Sequence, residues 1–183
     1  MTESPLVLLD ACSVVSLYAC RRTAEIIGAV EAAVAIADLV AGEAQYVFRG
    51  GIGDDARERE PVDLRPLVET GMLSVIATDD DAELMTYIDL TRQLGDGEAM
   101  TAALAIHRGA TVVTDDRKAE RVLASRGVPI RATLDLLRVW AEGQGLPSPE
   151  LRDVLIDLRQ RGRYEPHRNH PLRLWWERNL SVW

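Results

Sequence analysis

The sequence predicts an α/β domain built on a parallel sheet. Three observations carry this fold class. Short apolar runs alternate along the chain with segments of helical periodicity, the order expected of repeated β–α–β units. Two of those runs close on acids: PLVLLD ends in Asp10, and ATVVT leads into Asp115 and Asp116. The chain has 183 residues, 47% of them hydrophobic, which is enough for one domain with a substantial core.

The elements follow in order. PLVLLD (5–10) reads as a buried strand, because its apolar run is continuous rather than alternating. ACSVVSLYACRR (11–22) suits a helix leaving the strand end, and a second helix covers about 23–33. VAIADLVAGEAQYVFRG (34–50) reads as a short extended piece and then a helix from about Asp38 that carries Glu43. GGIGDDAREREPVDLRP (50–66) has the Gly, Pro and charge content of a loop, and it is long for a compact domain. MLSVIAT (72–78) reads as a strand. DDAELMTYIDLTRQL (80–94) opens on acids and has apolar residues at 84, 85, 88, 90 and 94, a helical pattern. LGDGEAMTAALAIHRGATVVTDDR (94–117) gives a helix over 96–108, Gly109 as its stop, and a strand over 110–114. Asp115 or Asp116 starts the next helix, to about Arg126; GVPI (127–130) is a short strand, and 133–143 a helix ended by Gly143 and Gly145. GLPSPE (145–150) marks a boundary between a main domain, 1–146, and an extension, 147–183, made of a charged helix (about 149–161) and a tail.

Composition narrows the function classes. A formal net charge of −8 disfavours non-specific nucleic-acid binding, which needs a basic surface. The charge is uneven: residues 159–183 hold six Arg against two Glu, a local balance of +4, which leaves −12 on the other 158 residues. The opening MTESPLVLLDACSVV lacks a basic region, and Asp10 breaks its first apolar run, which argues against a signal peptide. No stretch approaches the roughly 18 apolar residues of a membrane helix, so no membrane partner is expected. Cys12 and Cys20 form no CxxC and have no third partner; buried thiols in a reducing cytoplasm are the expectation. Trp175, Trp176 and Trp183 interleave with Arg168, Arg173 and Arg178. That mixture suits RNA or a protein interface; packing on the body or a partner is the favoured reading.

The acids are the candidate chemistry. In an open parallel sheet, ligands bind at the carboxyl ends of the strands. Asp10, Asp115 and Asp116 follow strands, Glu98 sits in the first turn of the helix before the second of them, and Glu43 sits on another helix. Each also has a structural reading. Asp10 and Asp96 are natural helix caps, Glu98 is favoured by the helix dipole, and Glu43 can be a solvated charge. One of Asp115 and Asp116 is expected to cap the next helix and one to face the site, with Asp116 favoured for metal. Ser13 and Thr114 either orient carboxylates or serve structure alone, and Arg117 and Lys118 either meet phosphate or are solvated. Carboxylates gathered in one place repel, and a divalent cation offsets that. The histidines, 107, 167 and 170, lie away from the strand ends, so zinc held by His and Cys is disfavoured. His107 reads as a dipole partner at a helix end.

VLLDACSVV, the helical Glu of VAGEAQYV, and DGEAMTAALAIHRGATVVTDDR together resemble the PIN-domain nucleases over roughly residues 5–145. The likeness is greatest to bacterial DxGEA proteins related to the VapC-type toxin ribonucleases. The resemblance implies a three-layer α/β/α sandwich around a parallel sheet of about five strands. It implies that Asp10, Glu43, Glu98 and Asp116 hold Mg²⁺ or Mn²⁺, with Asp96 and Asp115 as neighbours that join the site. The implied activity is hydrolysis of RNA phosphodiesters by a metal-activated water, in the toxin of a toxin–antitoxin pair. RNA and a cognate antitoxin are the implied partners, and a homodimer is an open alternative. Residues 44–72 and the tail after about 146 have no counterpart in the resemblance. A phosphatase or receiver-type phosphotransfer site fits poorly, because position 12 is Cys and the only lysine is Lys118. A non-catalytic interaction module and a nuclease acting on DNA remain as alternatives.

Overall fold

A computed structural model describes residues 5–50 and 58–181. In chain order the elements are β1 (Leu6–Leu9), α1 (Ala11–Ala19), α2 (Thr23–Gly28), β2 (Ala33–Ala37), α3 (Asp38–Glu43), β3 (Tyr46–Phe48), β4 (Arg59–Pro61), α4 (Arg65–Glu69), β5 (Ser74–Ile76), α5 (Asp81–Leu90), α6 (Asp96–Arg108), β6 (Thr111–Val113), α7 (Arg117–Ser125), β7 (Ile130–Arg131), α8 (Thr133–Gln144), α9 (Ser148–Arg161) and α10 (Arg173–Leu180).

Five strands form one sheet in the order β5-β2-β1-β6-β7, and every neighbouring pair is parallel. β1 lies at the centre, where the order turns from one direction to the other, the point at which such sheets bind ligands. Its residues Leu8 and Leu9 are fully buried, as a strand covered on both faces requires. α6 lies across β1, β2 and β6 with α5 against it, while α1 packs on α2, α8 and α9. The result is a three-layer α/β/α sandwich. Among the described residues, no helix is long and apolar enough to cross a membrane.

The predicted α/β alternation holds, with differences at several points. α1 ends at Ala19 and α2 at Gly28, short of the predicted 22 and 33; Arg21, at φ 57, breaks the path between them. The 44–72 stretch holds an antiparallel hairpin, β3 with β4, and the short helix α4, where the sequence predicted a loop. Residues 51–57 of that loop, residues 1–4 and Trp183 lie outside the described residues. On α5 the helical pattern is real, but Leu84, Met85 and Ile88 are 42%, 66% and 49% exposed, and only Leu90 and Leu94 of that pattern are buried. Gly109 and Gly145 end α6 and α8 in the left-handed conformation, at φ 63 and 58.

The C-terminal segment packs on the body. Trp176 is buried in the common core and meets Tyr164 edge-on, with ring centroids 5.7 Å apart. Arg161, at the end of α9, is 2% exposed; its Nε donates to Ala19 O at 3.1 Å and its Nη atoms to the Glu60 carboxylate at 3.2 and 3.3 Å. One guanidinium thus joins α9, the end of α1 and β4.

Glu60→Ala leaves that buried guanidinium without its counter-charge and is expected to cost about 3 kcal/mol in urea unfolding. Glu142→Ala, which removes an exposed partner of Arg138, is expected to cost under about 0.5 kcal/mol. Equal effects would remove the clamp from the account.

Candidate functional site

β1 and β6 end side by side. The Asp10 N–H donates to Val113 O at 3.1 Å, and Ser13 Oγ donates to the same carbonyl at 3.0 Å. Asp10 therefore sits at the sheet edge as the cap of α1, with its Oδ1 accepting the Ser13 N–H at 2.6 Å. It is 2% exposed, and its Oδ2 has no hydrogen-bond partner among the described residues. Burial pushes its carboxyl up to about 6, against hydrogen bonds from Thr114 and Ser13; the charge of Asp115 adds to the rise.

The two acids after β6 divide the work. Asp116 caps α7, its Oδ1 accepting the N–H groups of Lys118 and Ala119 at 2.7 and 2.8 Å. Asp115 turns inward, its Oδ1 accepting the Thr133 N–H at 3.2 Å and the Tyr164 hydroxyl at 3.3 Å. Its Oδ2 is buried and, among the described residues, unpartnered. Burial raises the Asp115 pKa, with Thr133 and Tyr164 opposing.

The start of α6 brings two more acids. Glu98 Oε2 accepts the Gly95 N–H at 3.2 Å, closing the first turn. Glu43, the last residue of α3, reaches across to accept the Gly97 N–H through Oε1 at 2.9 Å. A Cβ at Gly97 would stand 2.7 Å from Glu43 Cδ and 2.9 Å from Oε1, and closer still to Oε2. The glycine of DGEA is therefore the opening through which a second helix delivers its carboxylate. Asp96 faces the other way and accepts the Tyr87 hydroxyl at 3.4 Å.

Electrostatics report which acids converge. Cys12 is exposed, not buried as expected, because it lies in the first turn of α1 at the open sheet edge. Its thiol is pushed up to about 12, first by desolvation and then by the charges of Asp10, Glu98, Asp115 and Asp116. Four of the six predicted acids thus act on one thiol through their charge, and Glu43 reaches the same helix start through Gly97. Asp96 belongs to a flank with Asp38 and Glu43, whose charges raise the Tyr87 pKa after desolvation. Asp38 was not singled out in the sequence, nor were Gly97, Thr133 and Tyr164; only Gly97, a glycine inside a helix start, left a signal. Cys20 is buried as expected, donating to Ser16 O at 3.3 Å. His107 pairs with Thr86 at 2.8 Å and takes no part in the site.

The donor set suits a hard cation. Among the described residues no three Asp, Glu, His or Cys side chains converge closely enough to hold an ion by themselves. Mg²⁺ does not require that: it keeps several waters and binds through one or two carboxylates. The buried, unpartnered Oδ2 atoms of Asp10 and Asp115 are oxygens of the kind that Mg²⁺ and Mn²⁺ select.

A family model described as a PIN domain matches residues 6–170, from β1 to His170. No curated protein matches the chain.

Two outcomes are expected. The folded Asp10 carboxyl keeps its proton to about pH 6, whereas the unfolded one releases it near 3.8. The folded state thus binds more protons between these values, so metal-free stability falls as pH rises across that window, by up to roughly 3 kcal/mol. Asp10→Asn keeps the cap and removes the charge. Near pH 8 without metal it should unfold at higher urea than the wild type, with the gap closing below about pH 4; a variant no more stable near pH 8 would refute this. Gly97→Ala should leave the unfolding free energy unchanged or raised by up to about 1 kcal/mol while weakening Mn²⁺ binding roughly tenfold or more. Calorimetry showing equal Mn²⁺ affinity would remove Glu43 from the site.

Proposed function

Because the chain belongs to the PIN-domain family, whose members are generally nucleases, we propose that it is a divalent-metal-dependent endoribonuclease. The observation that carries this reading is the pair of buried carboxylate oxygens, Asp10 Oδ2 and Asp115 Oδ2, unpartnered among the described residues where β1 and β6 end together. Asp10, Glu43, Glu98 and Asp116 would hold Mg²⁺ or Mn²⁺. Asp115 stands beside Asp10 to join them, and Asp96 supports the flank.

A divalent cation bound there supplies neutralisation for the acids and for charge developing on the phosphoryl oxygens. The chain's own groups set the geometry. The N–H groups of Ser13, Gly95 and Gly97 fix Asp10, Glu98 and Glu43 through one oxygen each. The first turn of α7 fixes Asp116 in the same way. Water attacks the phosphodiester in line, the bond to the leaving ribose oxygen breaks, and that oxygen takes a proton. Neither a serine nor a cysteine nucleophile is required, and the raised Cys12 thiol stays protonated at neutral pH.

Two surfaces favour single-stranded RNA and a protein partner. Beside Glu43, a recess is lined by Tyr46, Phe48 and Arg163. The Arg59 and Arg163 guanidinium groups stack on Tyr46 and Phe48 at 4.1 and 4.3 Å, an arrangement suited to unpaired bases. The exposed Leu84, Met85 and Ile88 of α5 are of the kind a partner covers. They support the reading of the chain as a VapC-type toxin held by a cognate antitoxin.

Matched RNA and DNA oligonucleotides decide the matter. The purified chain should cut RNA with Mg²⁺ or Mn²⁺ and not in EDTA, and Glu98→Gln should lose roughly 100-fold or more of the rate. Cleavage confined to DNA, or undiminished in EDTA, would sink the assignment. The toxin role requires that induction arrest growth and that Glu98→Gln relieve the arrest.

A further inference from the structure

The chain has a single phenylalanine, and the fold does not place it in the core. Phe48 lies on β3 two residues from Tyr46, so the two rings leave one face of the strand, while Val47 between them is fully buried. Both rings are half-buried, and neither joins the common core. An aromatic pair left outside the core is a contact surface in want of a partner.

Each ring carries an arginine. Arg59 of β4 is the register partner of Phe48 and reaches diagonally to Tyr46, its Cζ 4.1 Å from the ring centroid. The Arg163 Cζ stands 4.3 Å from the Phe48 centroid. Arg163 holds φ 54, and among the described residues only Arg21 matches it without being glycine. Strained backbone of that kind persists where the surroundings hold a residue in place, and it gathers at ligand clamps. Both arginines are exposed. A guanidinium plane takes a base as an aromatic ring does, and its charge draws the phosphate alongside.

The angle between the rings selects the ligand. Their centroids are 5.7 Å apart and their planes lie at 88°. Stacked bases are parallel, so a stacked pair cannot lie on both rings. A duplex keeps its base faces against one another. Bases splayed from a single strand can meet two planes at right angles. Glu43 lines the recess that Tyr46, Phe48 and Arg163 share, so a strand lying there reaches the acids directly.

We infer that the β3–β4 hairpin face is a platform for two splayed nucleotides of single-stranded RNA, one base on the Tyr46–Arg59 stack and the next on the Phe48–Arg163 stack. The inference rests on the proposed nuclease reading and deepens it: the substrate is unpaired beside the cut, and paired RNA is refused.

Binding is measured in EDTA, where no cleavage is expected, by fluorescence anisotropy of a labelled oligouridylate. The wild type should bind it roughly tenfold more tightly than an RNA duplex of equal length. It should prefer it by a similar factor to an abasic strand, which has the phosphates without the bases. Phe48→Leu and Tyr46→Leu keep apolar bulk and lose the ring. Each should weaken oligouridylate roughly tenfold and leave the abasic strand unaffected. Arg163→Gly suits a positive φ, so it should unfold in urea as the wild type does. It should still weaken binding and reduce the salt slope by about 0.7. Equal affinity for abasic and base-bearing strands overturns the platform in favour of phosphate attraction alone, and equal affinity for the duplex overturns its selectivity. Where RNA is cut, Phe48→Leu should raise KM more than it lowers kcat. Cleavage with KM unmoved overturns the platform and upholds the nuclease reading. Oligouridylate bound as expected but left uncut with Mn²⁺ overturns the nuclease reading and upholds the platform.

Discussion

Four helices, α1, α6, α7 and α8, begin at one edge of the sheet, and each donates a first-turn N–H to a carboxylate. Asp10, Asp116 and Asp115 meet α1, α7 and α8, and Glu98 and Glu43 share the start of α6. These N–H groups have no partner within their helices, and they lie at the positive ends of the helix dipoles. Their donation fixes five acids at helix starts along that edge. Each is anchored through a single oxygen, so the charge is located but not neutralised. Burial is the first cause of the raised Asp10 and Cys12 values, and the neighbouring carboxylate charges add to both; a cation would remove that added part. Parallel strand order imposes the arrangement for α1, α7 and α8, because a helix that follows a strand starts at that strand's carboxyl end; α6, which follows α5, is brought there by its packing across β1, β2 and β6.

Much of this was legible in the sequence, for local reasons. A buried parallel strand is written as a continuous apolar run, so the acid ending it falls at the sheet edge. The DGEA segment carries its own helix start, and Gly109 its stop. What was hidden depends on contacts far along the chain. Asp115 and Asp116 are equivalent in sequence; Thr133 and Tyr164, 18 and 49 residues from Asp115, decide which one turns inward. The β3–β4 hairpin escaped notice because three-residue strands are too short to display a period. Cys12 reads as core by its neighbours, yet its place in the first turn of α1 opens it to solvent.

The C-terminal segment is connected to the acids by packing. Trp176 of α10 holds Tyr164 edge-on, and the Tyr164 hydroxyl holds Asp115. Arg161 secures the preceding helix to α1, the helix that Asp10 caps. Position and charge at the sheet edge therefore depend on residues more than a hundred positions away.

The two ends of the sheet have a consequence for behaviour at high concentration. A long exposed edge strand offers unpaired backbone groups to another chain and invites edge-to-edge association. Here β5 contributes three residues and β7 only two. Neither border is long enough to template a further strand. A sheet of five parallel strands thus guards its margins by brevity, and at β7 also by Pro129, which directly precedes the strand and has no N–H to offer.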